Sequence, residues 1–125
     1  HGGLLHLSGQ LPFRDGQVVT GRLGDDTDVA SGYDAARRCA LMLVAQIGQA
    51  LDGDWSRVER VVKLGVFVNS TPGFTDQAKV ANGASELFES LFGEAGRHAR
   101  AAVGVAVLPL GASVEADAIV AVRPA

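Results

Sequence analysis

The stretch Arg60-Val61-Val62-Lys63-Leu64-Gly65-Val66-Phe67-Val68 carries a single interior charge and is apolar at both of its alternating sets of positions. Successive side chains of a strand point to opposite faces. A strand of this kind has no face to turn to water and belongs inside a sheet covered on both sides. Its valines favour the pleated geometry. The polar run Asn69-Ser70-Thr71-Pro72-Gly73 closes it. The rest of the chain must supply either its neighbours or its covers.

The covers are legible from periodicity. Ala36, Ala40, Leu43, Ile47 and Leu51 recur at helical spacing, which predicts a helix from about Ser31 to Leu51. Asp52-Gly53 ends it, and Asp54 is placed to cap a short turn around Trp55. A second helix is expected from about Thr75 to Phe92, with Val80, Ala84, Leu87 and Leu91 as its stripe, Gly93 at its C-terminal cap and Gly83 weakening its middle. Leu4–Ser8 and Gln17–Thr20 flank Arg14-Asp15-Gly16 and predict an opening β-hairpin. Ala99–Leu108 and Ser113–Val122 alternate as two strands around the turn-forming Pro109-Leu110-Gly111-Ala112. The order ββ-α-β-α-ββ fills residues 1–125 as a single α+β domain with no repeat or linker.

Two helices cover one side of such a sheet. In the central strand Val62, Leu64, Val66 and Val68 share one face, with Val61, Gly65 and Phe67 on the other. In the next strand Ala101, Val103, Val105 and Val107 oppose Ala102, Gly104 and Ala106, which surround Arg100. Leaving the uncovered side wet exposes more apolar surface than soluble monomers ordinarily tolerate, so another copy of the chain is the expected cover. The competing reading is a mildly apolar but solvated open face.

Several function classes are disfavoured. The formal net charge is -3 and the 11 basic residues form no run, which argues against a nucleic-acid partner. Cys39 has no partner for a disulfide and fits a reducing, cytoplasmic setting. No apolar stretch approaches the roughly 20 residues that span a bilayer, and no signal-peptide pattern opens the chain. The sequence starts at His1 inside what reads as a strand, so a further N-terminal segment is expected. The G-x-S-x-G elbow, phosphate loop, dinucleotide fingerprint and zinc-ligand spacings are missing.

What remains is sparse. Arg100 starts an otherwise uncharged strand with small neighbours on its face, and its planar fork of donors matches a carboxylate. A small-molecule acid and a structural Asp or Glu are equally natural partners. Glu115 shares a face with Asp117 and is either functional or solvated. If the last two strands form a hairpin turning near Leu110 and Gly111, Arg100 lies about six positions from Glu115, roughly 20 Å, and a shared site requires a subunit boundary. Ser8-Gly9-Gln10 ends the first strand, where glycine admits close backbone approach or simply makes a turn. Asn82 points either to solvent or into a cleft. His6, within an apolar strand, reads as structural rather than as a base.

These residues carry a resemblance. Leu7-Ser8-Gly9-Gln10-Leu11-Pro12, Arg60-Val61-Val62-Lys63 with Val66-Phe67-Val68, Ala99-Arg100-Ala101-Ala102-Val103-Gly104-Val105 with Leu108-Pro109, and Val114-Glu115-Ala116-Asp117-Ala118-Ile119 together resemble the RidA/YjgF family. The resemblance implies a chorismate-mutase-like mixed sheet, a homotrimer with sites at its subunit clefts, and hydrolysis of reactive 2-imino or 2-enamino acids to 2-keto acids and ammonia without metal or organic cofactor. It assigns Arg100 to the substrate carboxylate and Glu115 to the attacking water, with Ser8, Gly9, Asn82 and Ala102 lining the cleft. Ala102 stands where the family frequently has cysteine, and the segment from Phe74 to Asn82 is longer than in compact members, so a divergent subgroup is implied. A non-catalytic acid-binding trimer and the ribonuclease label the family has carried are the alternatives.

Overall fold

The computed structural model describes residues His1–Ala125. Its main sheet has four strands in the order β1-β6-β4-β5, where β1 is Leu4–Gln10, β4 Val58–Asn69, β5 Ala99–Val105 and β6 Val114–Val122. β6 pairs antiparallel with both β1 and β4, while β5 runs parallel to β4. The two helices, α1 (Val29–Ala50) and α2 (Gln77–Phe92), lie together on one face. This is the α+β architecture expected, with the Arg60–Val68 segment inside the sheet. No helix is long and apolar enough to cross a membrane.

Two strand pairings differ from expectation. The opening hairpin is only Phe13–Arg14 (β2) against Gln17–Val18 (β3), while β1 pairs with β6 instead. Its turn is the one predicted, since Asp15 and Gly16 both take positive φ, the conformation a two-residue type I′ loop requires. The last two strands form no hairpin, because β4 lies between them. Parallel strands need a long crossover, and α2 provides it from β4 to β5. Pro109–Gly111 is therefore a short turn, with Leu110 and Gly111 at positive φ, that carries the chain across the sheet end to the far side of β4.

α1 is capped by Asp28, whose carboxylate accepts from the Ser31 backbone N–H at 2.8 Å, and starts at Val29, two residues before the expected start. Leu43, Ile47, Val80, Phe88, Leu64, Val66, Val68 and Val114 form the interlayer core. Leu91 is 52% exposed although it continues the α2 stripe, because that end of the helix borders an open groove with Val44, Trp55 and Phe92; Phe88 is buried instead. A Cβ on Gly83 would collide with the Tyr33 carbonyl oxygen. The glycine that weakens α2 in isolation is thus where the two helix backbones approach.

In β4 the alternation breaks at a register shift between Val61 and Lys63. Val61 is buried with Leu64, and Val62 turns to the open face. A bulge inserts one residue and reverses which side the following positions occupy. The face away from the helices carries Val62 and Val103, both exposed, with half-buried Phe67 and Ile119.

Candidate active site

Arg100 sits opposite Leu64 on the edge strand β5 and turns toward α2. Its Nη1 donates to Asn82 Oδ1 at 2.9 Å and to Ser85 Oγ at 3.1 Å. The ion pairs of the chain are Arg14 and Arg38 with Asp34, Lys79 with Asp76, and Arg97 with Glu94, so Arg100 has no acidic partner. Arg22, Arg57, Arg60 and Arg123 instead bind backbone carbonyls. Arg100 differs in being held by two neutral side chains, which orient the guanidinium without cancelling its charge.

The surrounding cleft, about 460 Å³, is lined by Asn82, Ser85, Glu86, Glu89, Arg97, His98 and Arg100. Glu86 is engaged elsewhere: it accepts from the Tyr33 hydroxyl of α1. That hydrogen bond, then burial and the carboxylate charge, hold the tyrosine above its ordinary range. Ala102 follows Arg100 on the same face of β5, and its small half-buried side chain packs toward the core.

Two residues that the sequence reading did not single out complete the cleft. Ser85 Oγ lies 2.9 Å from His98 Nε2, and His98 Nδ1 lies 2.6 Å from the Gly96 carbonyl oxygen. The Phe88 ring meets the imidazole edge-on with centroids 5.8 Å apart. Strand alternation could have pointed to His98, two positions before Arg100 and so on its face. Nothing in the one-dimensional pattern pairs it with Ser85.

Ser8, Gly9 and Glu115 assemble elsewhere. The β1–β6 register slips between Leu7 and Gln10, making a bulge at Ser8-Gly9. A Cβ on Gly9 would run into the Glu115 carboxylate, so the glycine makes room for that side chain. Glu115 is half-buried opposite Phe67, on the face away from the helices. Beneath it, Cys39 is buried on α1 with its Sγ 3.6 Å from the Val114 carbonyl oxygen. Burial first, and Glu115 second, push that thiol far above its usual range, leaving it neutral.

Arg100 and Glu115 therefore do not meet in one chain. β4 separates their strands, Arg100 pairing with Leu64 and Glu115 with Phe67, so they stand about 10 Å apart along the strands and about 10 Å across them, on opposite faces. The hairpin geometry predicted from sequence was wrong, and the backbone separation is about 14 Å rather than the roughly 20 Å it implied, but the two side chains still do not meet within one chain. His6 lies exposed on β1, away from both groups.

A mixed sheet with β5 on a free edge and two helices behind it defines the chorismate-mutase-like α+β class. Residues 1–118 match the family model described as "YjgF/chorismate_mutase-like, putative endoribonuclease", and the chain belongs to the YjgF/RidA family. It is 62% identical over 118 residues to Protein TCP17 of Trypanosoma cruzi, covering 93% of this chain and 73% of that one. The crystal structure of Atu1372 from Agrobacterium tumefaciens, described as of unknown function, superposes with a TM-score of 0.97 at 54% identity over 99% of this chain and 80% of that one. TdcF of E. coli with bound serine superposes with a TM-score of 0.63 at 27% identity, over 98% of this chain and 83% of that one.

Proposed function

We propose that the chain hydrolyses reactive 2-imino or 2-enamino acids to 2-keto acids and ammonia in a homotrimer whose clefts join the Arg100 region of one subunit to the Ser8-Gly9-Glu115 region of the next. The observation that carries this is Arg100 itself: an arginine oriented by Asn82 and Ser85, without a carboxylate partner, at the mouth of a cleft. A guanidinium in that setting is complementary to the carboxylate that all these substrates bear. The serine carried by TdcF is a molecule of that chemistry and supports the reading.

In the reaction, Arg100 fixes the carboxylate and thereby the adjacent C=N carbon. Glu115 of the neighbouring subunit holds a water against that carbon. Water adds, the carbinolamine collapses, and ammonia leaves. The uncatalysed reaction already proceeds in water, so orientation supplies most of the acceleration. The endoribonuclease label fits less well: the Arg100 cleft carries Glu86 and Glu89 beside its two arginines, and the chain is net acidic.

The test is ammonia release from an imino acid generated in place by an amino-acid oxidase. Arg100→Ala should lower kcat/KM on the order of 100-fold. Equal rates for the two proteins would remove the proposal. Saturable binding of a small keto acid with no turnover would convert it to a binding module.

A further inference from the structure

We propose that Ser85 and His98 form a proton relay serving the Arg100 cleft, with Ser85 taking the proton of the attacking water and His98 as the base behind it. The inference rests on the deaminase reading and extends it by giving Ser85, which there only orients Arg100, a second role and by bringing in His98.

The argument starts from donors and acceptors. The Gly96 carbonyl oxygen can only accept, so at 2.6 Å the His98 Nδ1 carries the proton. In the neutral ring Nε2 then bears a lone pair and accepts the Ser85 hydroxyl hydrogen at 2.9 Å. Ser85 Oγ in turn accepts from Arg100 Nη1 at 3.1 Å. The serine oxygen is thus polarised toward a base on one side and tied to the arginine on the other. A hydroxyl on an imidazole whose far nitrogen is fixed by a third group is the arrangement that activates serine in hydrolases. Here the third group is a backbone carbonyl.

The site needs such a group. Adding water to a protonated imine liberates one proton, and the carbinolamine must receive one on nitrogen before ammonia leaves. Water gives its proton to Ser85 Oγ as the serine proton passes to His98 Nε2, while the oxygen bonds to the imine carbon. In the return step His98 Nε2 gives its proton back through Ser85 to the amino nitrogen. The C–N bond then breaks, the hydroxyl loses its proton to the departing ammonia, and the products are keto acid and ammonium. Glu115 of the adjoining subunit and Ser85 would approach the water from two sides.

The charged groups facing this relay are Glu86 and Glu89 from α2, and Arg97 and Arg100 from the β5 side. Any of them could impose its own pH dependence, so the test separates them. His98→Gln keeps a hydrogen-bonding side chain but removes the base. It should lower kcat about 100-fold, leave KM within about threefold, and abolish the acidic limb of the kcat pH profile. Added imidazole should restore part of the rate to a His98→Ala protein. A wild-type kcat in His98→Gln, or an acidic limb that persists there and vanishes in Glu86→Gln or Glu89→Gln, would overturn the relay while leaving the deaminase reading intact. An inactive wild-type protein would overturn both. Independently of turnover, nitrogen NMR of the imidazole should find Nδ1 protonated in the neutral ring; protonation at Nε2 instead would rule the relay out.

Discussion

The Arg100 guanidinium is held in place by groups that cannot neutralise it. Asn82 and Ser85 each offer an oxygen, and neither carries charge, so the cation stays available to an anion entering the cleft. Asn82→Asp tests this with a near-isosteric change. The new carboxylate would pair with Arg100 and compete with substrate, raising KM about tenfold or more with a smaller effect on kcat. Steady-state kinetics decides it, and an unchanged KM would mean that substrate is held elsewhere. Arg100 was legible in the sequence because a lone charge among small residues on a strand stands out against its surroundings. Ser85 and His98 were not, because their significance lies in a contact between α2 and the start of β5 that no local period encodes.

At the scale of elements, the close crossing of α1 and α2 depends on Gly83. Alanine is the better helix former by about 1 kcal/mol, yet its Cβ would meet the Tyr33 carbonyl and force the helices apart, an overpacking cost of about 1–3 kcal/mol. We expect Gly83→Ala to destabilise the fold in urea titrations. A gain in stability would mean that the helices separate at little cost. Both helices and the central position of β4 could be read from sequence, since each depends on its own periodicity. The partner of β5 could not be read from its turn residues, because Pro109, Leu110 and Gly111 describe a change of direction and not its destination. The βαβ order around α2 was the better guide, since it calls for β5 parallel to β4. The bulges at Ser8-Gly9 and after Val61 left no signal beyond a glycine and a broken alternation.

For the whole molecule, acid should weaken the fold in a definite direction. Arg38, and secondarily Arg14, hold the Asp34 carboxyl below its ordinary range, and backbone N–H groups of Arg22 and Ser31 do the same for Asp26 and Asp28. A lowered folded-state pKa means that the unfolded chain takes up protons first as pH falls. These contributions are therefore complete above the usual carboxylate range and are lost as pH drops through the folded values. Thermal melts across that range should show the loss, with a shallower slope for Asp34→Asn; an unchanged slope would assign it to other carboxylates.

In the proposed reading one neighbouring copy both covers the open sheet face and unites the two separated groups of candidate residues. The sequence led to the same expectation through apolarity on both faces of β4, though apolarity does not specify the number of subunits. Active-site complementation is the most direct measurement. Arg100→Ala and Glu115→Gln should each be nearly inactive alone. Coexpressed at equal levels as mixed trimers, they should recover about a quarter of wild-type deaminase activity, because about one site in four then draws both intact residues from different subunits. Mixed trimers that stay as inactive as their parents, or a wild-type protein whose mass in solution is that of one 12.9 kDa chain, would contradict the account.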